Sequence, residues 1–551
     1  MVAILVVVVT WLIRRIPSIA ILYYIYTQAK MSSEQDLLDL SRDTASMASG
    51  ASGGGVAAGA ATATTPIILD HVANRALYTD VATTSRAASI ASDPISNDNF
   101  DDGVDDDDDS AEFDGPTLKK VVRKACKAID LGTAVMPKLL LHPDVDEIAI
   151  TTNDNVDDDD DDAVDNGYQL APETPQQSRY ARFIEQEFTA IVIEHHLKWA
   201  PLCTAEPGPL PDGAPVQDRL GRYDFGVVDA MVDWALARKI RVKGHVLIWA
   251  VTSPTQFLET MSASQLREAM KRHIFTTMGH FRGRIRIWDV VNEALAPDGT
   301  LAPNIFLRKL GPTYIEECFH WAHQADPDAI LLYNDNKVEG MGLDSPNHLK
   351  SEGFYNLLKD LTHRKVPVHG CGIQAHFNAA GVGRNRVPTP RMVQQQIHRL
   401  GALGLKVNIS EMDVRVSKLP PNLRQIAQRQ IYHDICAAAL SEACFDGIWL
   451  WGFTDRHTWV HSFYYDDEPL IFDEDFDRKE AYYGLREALM SLTPGGIVGG
   501  RGVVLDDDVD VDGKPWGHLW MQPEPEGDDD PLQRDSSGNA RPDWEQPDSI
   551  V

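Results

Sequence analysis

Cysteine is scarce in this chain. Six occur in 551 residues, and no two stand as Cys-x-x-Cys. That excludes a disulfide scaffold and a structural metal cluster. Cys436 and Cys444 are the nearest two; they suit a bridge in an oxidising compartment, and equally two buried thiols. His-Glu-x-x-His and EF-hand spacings are missing, so no metal is expected. No Gly-x-Gly-x-x-Gly follows the first strand-like run, which leaves a dinucleotide crevice without support, and no cofactor is implied. Basic residues are also short, 51 against 82 acidic, for a formal charge of -31. Phosphate binding needs clustered Lys and Arg, so no nucleic-acid partner is expected. Much of the acid lies in runs, Asp105–Asp109, Asp157–Asp162, Asp506–Asp508 and Asp528–Asp530. Such runs are solvated spacers.

An uninterrupted membrane-length apolar run is missing too. Residues 2–13 are apolar except for Thr10, then Arg14 and Arg15 intervene before a second run, Ile16–Tyr26. Each run is too short to span a bilayer, and two mid-span arginines are costly. A simple signal peptide puts its positive charge first. Residues 1–30 therefore read as an imperfect signal or anchor, with membrane association through residues 2–26 as the expectation to test. Residues 31–116 are rich in Ser, Ala, Gly, Thr and Asp and read as a low-complexity, disordered linker. Residues 495–551 are rich in Gly, Asp and Pro and read as a disordered acidic tail, with Trp516 and Trp520 standing among charges.

What remains, 117–494, alternates. Strand-like runs lie at 128–135, 189–194, 240–249, 285–294, 329–335, 368–376, 405–413 and 446–455. Helix-like segments separate most of them, at 225–239, 264–281, 313–325, 351–363, 391–400 and 422–441, with a last one at 478–492. An acidic insertion at about 148–175 follows the first strand and reads as an exposed loop. So long an alternation predicts α/β architecture, a (β/α)8 TIM barrel with disordered N- and C-terminal extensions.

Two of the strand-like runs end in a glutamate. Ile285-Arg-Ile-Trp-Asp-Val-Val-Asn292-Glu293 is answered 118 residues later by Leu405-Lys-Val-Asn-Ile-Ser-Glu411-Met-Asp413. A barrel keeps its chemistry at the C-terminal mouths of its strands. Two carboxyl groups there are the minimum equipment for retaining glycoside hydrolysis, one protonating the leaving oxygen and the other attacking the sugar carbon. The other strand ends collect polar and aromatic residues that a core would waste: Glu194-His195-His196-Leu197-Lys198-Trp199, His245 with Trp249, Asn334-Asp335, Gln374-Ala375-His376, and Trp451 to Asp455 with Trp459 beyond. Tryptophan faces stack on pyranose rings, and amides, histidines and lysine hydrogen-bond hydroxyls. A neutral polysaccharide suits this set. His195 and His196 are adjacent and point to opposite faces of a strand, which argues against a shared metal.

At these residues the sequence resembles the family-10 glycoside hydrolases, the (β/α)8 endo-β-1,4-xylanases. The family's Trp-Asp-Val-Val-Asn-Glu-Ala stands as Trp288–Ala294, and its Ile-Thr-Glu-Leu-Asp as Ile409–Asp413. The resemblance implies Glu293 as acid/base and Glu411 as nucleophile, with His376, Asp413 and Asn292 in support. It implies a sugar site formed by Glu194, His195, Lys198, His245, Trp249, Gln374, Trp451 and Trp459. It implies cleavage of internal bonds in xylan or xylo-oligosaccharides by double displacement. Its polymeric substrate implies an extracellular chain, or one anchored in a membrane and facing the exterior; a monomer is favoured. A retaining β-1,4-glucanase and a non-catalytic polysaccharide-binding barrel stay open as alternatives. The departures cluster at the second sugar, where His195 replaces the family's Asn, and Ala250 and Thr252 replace its His and Gln.

Overall fold

The computed structural model describes residues 115–141, 178–203, 222–464, 466–493, 509 and 513–521. The expectations for residues 2–26, for the linker, for the acidic insertion and for most of the tail lie outside them. Among the described residues no helix is long and apolar enough to cross a membrane.

Nine strands follow in chain order: β1 Asp130–Val135, β2 Ala190–Ile193, β3 Arg241–Gly244, β4 Ile287–Asn292, β5 Ile330–Asp335, β6 Gly370–Ile373, β7 His376–Asn378, β8 Lys406–Arg415 and β9 Phe445–Leu450. Each barrel strand is parallel to its neighbour, in the order β1-β2-β3-β4-β5-β6-β8-β9, and β9 returns to β1 through pairs such as Gly132 with Trp449. That closes an eight-stranded barrel. The short β7 pairs only with the far end of β8. β1 and β2 are buried along their whole length, as expected where helices cover one face and the barrel interior the other. Small residues of β1 and β2, Ala134, Ala190 and Val192, make an inner cluster with Trp449 and Trp451.

The helices lie close to where the sequence puts them. The helix Ala263–Phe281 starts at a capping box, with Ser262 and Gln265 satisfying each other's backbone N–H groups. The helices Pro390–Gly401 and Pro421–Leu440 begin on proline, whose missing N–H costs nothing in a first turn. Three strands are clearly shorter than read, the eighth run, 446–455, ending as β9 at Leu450. The third leaves the ladder after Gly244; a cis peptide joins His245 to Val246, and Ile248 rejoins through a bridge to Val291. The sixth splits into β6 and β7 at Ala375, whose φ is +64°. Both interruptions fall at the end of the barrel that carries the polar residues.

Part of the tail departs from the expectation of disorder. Trp516 and Trp520 are buried, at 8% and 1% exposure, with ring centroids 5.3 Å apart. Their indole N–H groups donate to Asp434 Oδ2 at 2.7 Å and Gln430 Oε1 at 2.8 Å, both on the helix Pro421–Leu440. The segment is held because two large aromatic surfaces leave water with their polar N–H groups satisfied. Cys436 and Cys444 are free thiols here, the first beside Met412 and the second beside the Ile397 carbonyl.

One buried ion pair ties the turn that follows β9 to the start of the last helix, Glu480–Met490. Lys479 Nζ donates to Asp455 Oδ2 at 2.7 Å and to the carbonyls of Glu468 and Leu470. Lys479 is 6% exposed and Asp455 1%. Removing one partner of such a pair leaves the other charged and dry, at a cost of about 3–5 kcal/mol. Lys479→Met should therefore lower the free energy of unfolding measured in urea by an amount in that range, shifting the midpoint down, with the far-UV circular dichroism of the folded state unchanged. A midpoint equal to the parent's would show that the pair carries no weight.

Candidate active site

The two glutamates are carried to the site by β4 and β8, three places apart in the barrel, and are connected by one hydrogen-bond chain. Glu293 directly follows β4 and takes φ +52°, a left-handed turn that is costly for a residue with a side chain. Its N–H donates to the Asn334 carbonyl at 3.0 Å. Trp249 Nε1 donates to its Oε2 at 2.7 Å, and Gln374 Nε2 to its Oε1 at 2.8 Å. Gln374 Nε2 also reaches Asn292 Oδ1 at 3.3 Å. Asn334 Nδ2 donates to that same Asn292 oxygen at 3.0 Å and to Glu411 Oε1 at 2.6 Å. Every step from Glu293 to Glu411 thus passes through an amide. Because the Asn292 oxygen accepts both amides, its own NH2 is what it offers a ligand.

Asn334 is placed by its neighbours. It stands in register with Asn292 on β4 and Gly372 on β6. Ser410 Oγ of β8 donates to Asn334 Oδ1 at 2.6 Å, across the glycine. A Cβ on Gly372 would lie 2.2 Å from that oxygen, so only glycine leaves the space.

Glu411 is buried, and each of its oxygens has a donor. Opposite Asn334, His376 Nε2 lies 3.4 Å from Glu411 Oε2, while His376 Nδ1 is 2.8 Å from Asp413 Oδ2. Trp459 Nε1 donates to that same Asp413 oxygen at 2.8 Å. Asp413 thus stands behind His376, and His376 beside Glu411. Trp459 is half-buried, its ring 5.2 Å from that of His376, so it also braces this group.

The electrostatics push the two glutamates apart. Glu293 is only partly exposed at the cleft floor. Loss of water, with the negative Asp335 and Glu411, raises its carboxyl to about 7 against the Gln374 hydrogen bond. Burial would raise Glu411 as well, but the His376 hydrogen bond and the positive fields of His245, His376 and Lys198 outweigh it and hold Glu411 at about 2. Burial opposes charge on His376, yet Asp413 and Glu411 raise it to about 10.

The remaining expected residues line the β2, β3 and β9 side. Lys198 is buried with its ammonium 4.6 Å from the Trp249 ring centroid and 5.7 Å from that of Trp451. His245 Nδ1 is 2.9 Å from Asp289 Oδ2, which also meets Lys243 Nζ at 3.1 Å. The His245 ring stands edge-on to Trp451. Glu194 is half-buried beyond β2, where desolvation raises it to about 7 against the attraction of Lys198. His195 is exposed at the rim and Thr252 half-buried, so these two are not drawn into the central network.

Four participants are absent from the expected site. Asn334 is legible in the sequence only as one of many strand-end polar residues. Asp289 sits inside a strand, where an acid reads as an oddity. Lys350 comes from a helix and meets Asp335 Oδ1 at 2.9 Å. Glu339 accepts at one oxygen from the N–H groups of Lys337, at 3.1 Å, and Ala375, at 3.0 Å. Both of those residues have left-handed backbone. Only the last has a local signal, a glutamate before Gly340 just past a strand.

Residues 160–488 match the model of glycosyl hydrolase family 10. The chain is 32% identical over 319 residues to endo-1,4-beta-xylanase B of Thermotoga neapolitana, covering 57% of this chain and 84% of the relative. It is 32% identical over 323 residues to a beta-1,4-xylanase of Dictyoglomus thermophilum, covering 55% and 83%. Among solved structures, native xylanase 10B from Thermotoga maritima superposes with a TM-score of 0.54 at 28% identity, over 68% of this chain and 98% of that one. The chain is a glycoside hydrolase of family 10.

Proposed function

We propose that this chain cleaves internal β-1,4-xylosidic bonds of xylan with retention of configuration, and that Glu411 and Glu293 perform the two displacements. The observation that carries the assignment is the contrast in partners of the two carboxyl groups, neutral Trp249 and Gln374 on Glu293 against His376 and Asn334 on Glu411, which pushes the two in opposite directions. Glu411, held ionised, attacks the anomeric carbon. Glu293, held protonated up to near neutrality, gives its proton to the leaving oxygen. In the second half the roles reverse for Glu293 alone: now a carboxylate, it takes a proton from water as the water displaces Glu411 from the sugar. Gln374 and Trp249 fix Glu293 in one orientation for both halves. Asn334 and His376 do the same for Glu411, and the Asn292 NH2 is aimed at the hydroxyl beside the reacting carbon. Lys198 over Trp249 and Trp451 supplies a desolvated donor where that sugar would sit. The xylanase names of the relatives support the choice of xylan. The substrate is a polymer outside cells, which supports an exported or outward-facing enzyme.

The pH dependence follows with its sign. A general acid works while protonated, so kcat/KM on xylan should fall as pH rises through about 7, the value of Glu293. In Glu293→Gln that limb should vanish on an aryl xylobioside whose phenol leaves unaided, while turnover of xylan drops by roughly 10²–10⁴-fold. An unchanged alkaline limb in this variant would reassign the acid. Glu411→Ala should abolish cleavage of both substrates without unfolding the chain. Equal rates on xylan and carboxymethylcellulose would overturn the choice of polymer.

The second-sugar departures give a further expectation. Losing two neutral hydrogen bonds there weakens transition-state binding by about 1–3 kcal/mol, or roughly 5–150-fold on short substrates. Restoring both, His195→Asn with Thr252→Gln, should raise kcat/KM on an aryl xylobioside within that range and change xylan turnover less. No gain, with the fold intact, would show that the site is filled in another way.

A further inference from the structure

Asp335 is one of the strand-end acids legible in the sequence, yet the two displacements make no use of it. Alternation along β5 sends Asn334 into the barrel mouth, and Tyr333 and Asp335 to the opposite face, against the helix layer. There the Tyr333 ring meets Phe354 of the helix His348–His363, with centroids 5.5 Å apart. Lys350, one turn earlier on that helix, places its ammonium 2.9 Å from Asp335 Oδ1 and donates to Asn336 Oδ1 at 2.6 Å. The Asn336 N–H donates to the same Asp335 oxygen at 2.9 Å. Tyr333, Asp335 and Lys350 are all buried.

From this buried group one contact runs to the backbone of the acid/base. The Tyr333 hydroxyl donates to Asp335 Oδ2 at 2.5 Å and accepts the N–H of Ala294 at 3.2 Å. Burial, and then the neighbouring carboxylate, push that hydroxyl well above its ordinary value, so it keeps its proton and stays a donor. Ala294 directly follows Glu293. The Glu293 N–H is on the Asn334 carbonyl, so the left-handed turn at Glu293 is gripped on both sides by β5. β4 slips by one residue against β5 between Asp289 and Val291, which brings Val291 opposite Tyr333 and Asn292 opposite Asn334. A bulge of this kind re-aims the end of a strand. The helix that carries Lys350 also touches the loop beyond Glu293. A Cβ on Gly299 would lie 2.3 Å from the Leu349 carbonyl oxygen, and one on Gly353 would lie 2.2 Å from the Gly299 carbonyl oxygen. Glycine at both positions lets helix and loop meet, and that contact sets where Lys350 stands along Asp335.

The charged groups that act on Glu293 come from four elements: Asp335 from β5, Glu411 from β8, Lys350 from the helix and Lys198 from beyond β2. Asp335 in turn faces Lys350, Glu293 and the phenols of Tyr333 and Tyr314, the last from the helix Tyr314–Ala325. Glu339 faces Lys350 and His376. Asp335 opposes a charge on Glu293 and Lys350 favours one, and the acid is the stronger influence. We propose that Tyr333 and Asp335 are positioning residues for the acid/base: Tyr333 fixes the turn that aims the Glu293 carboxyl at the leaving oxygen, and Asp335, balanced by Lys350, keeps that carboxyl a proton donor at neutral pH. The inference rests on the xylanase reading above and adds a second layer of control to it.

The test uses the full chain, xylan, and an aryl xylobioside whose phenol leaves unaided. In Asp335→Asn the alkaline limb of kcat/KM on xylan should move to lower pH by about one unit, because Glu293 loses a negative neighbour and ionises sooner. Adding Lys350→Met removes the opposing positive charge and should bring the limb back up. The double variant leaves neither member of that pair buried alone, so a failure to fold does not hide the result. Tyr333→Phe keeps its ring against Phe354. It should lower kcat/KM on xylan about tenfold and leave that on the aryl xylobioside unchanged, since only xylan needs a well-aimed acid. A limb that stays in place in Asp335→Asn, or that does not return in the double variant, would overturn the proposal. So would a Tyr333→Phe enzyme whose rates on the two substrates change by the same factor or not at all. Cleavage of neither substrate by the unaltered enzyme would overturn the xylanase reading itself, and this inference with it.

Discussion

Two carboxyl groups joined by a few amides in a poorly solvated cleft cannot both be charged without help. Everything built around this site decides which of them receives it. The positive groups His376, Lys198 and His245 are turned towards Glu411. Glu293 meets two neutral donors, an indole and an amide, and negative neighbours. The asymmetry lives in the identity of the donors. The barrel's part is to bring eight strand mouths to one place, so that donors on or just after β3, β5, β6 and β7 reach two acids carried by β4 and β8.

Much of this is legible in the sequence because barrel strands announce themselves twice. Their bodies are apolar and their ends are not. Glu293, Glu411, Asn292, His376, Asp413 and Gln374 are visible for that reason, and the structure places them in one network. What the sequence hides is second-layer support. Asn334 reaches both Asn292 and Glu411 only because Gly372, 38 positions later, has no side chain. No local pattern reports that. Lys350 meets Asp335 from a helix whose periodicity is amphipathic in the ordinary way, so nothing marks the lysine as buried until the helix is laid against the barrel.

Element ends were the other weak point, for a physical reason. The third and sixth strand runs stay apolar past the place where the ladder stops. Propensity continues through His245 and Ala375, while the backbone turns to deliver His245, Trp249, Gln374 and His376 to the cleft. Local preference is overruled there by the needs of the site, the place where such conflicts are expected. The tail errs the other way. Trp516 and Trp520 sit in a segment whose composition argues against order, and two partners on one helix are enough to hold it.

Glu339 has a mechanical consequence. Its single oxygen joins the chain just after β5 to the break between β6 and β7. Each of those places is a left-handed kink that would relax if released. While the carboxylate bridges them, neither kink can swing without dragging the other. That side of the cleft therefore behaves as one rigid jaw. Whatever yielding is needed to admit a stiff polysaccharide must come from the opposite jaw, where His195 and Val251 stand exposed at the rim.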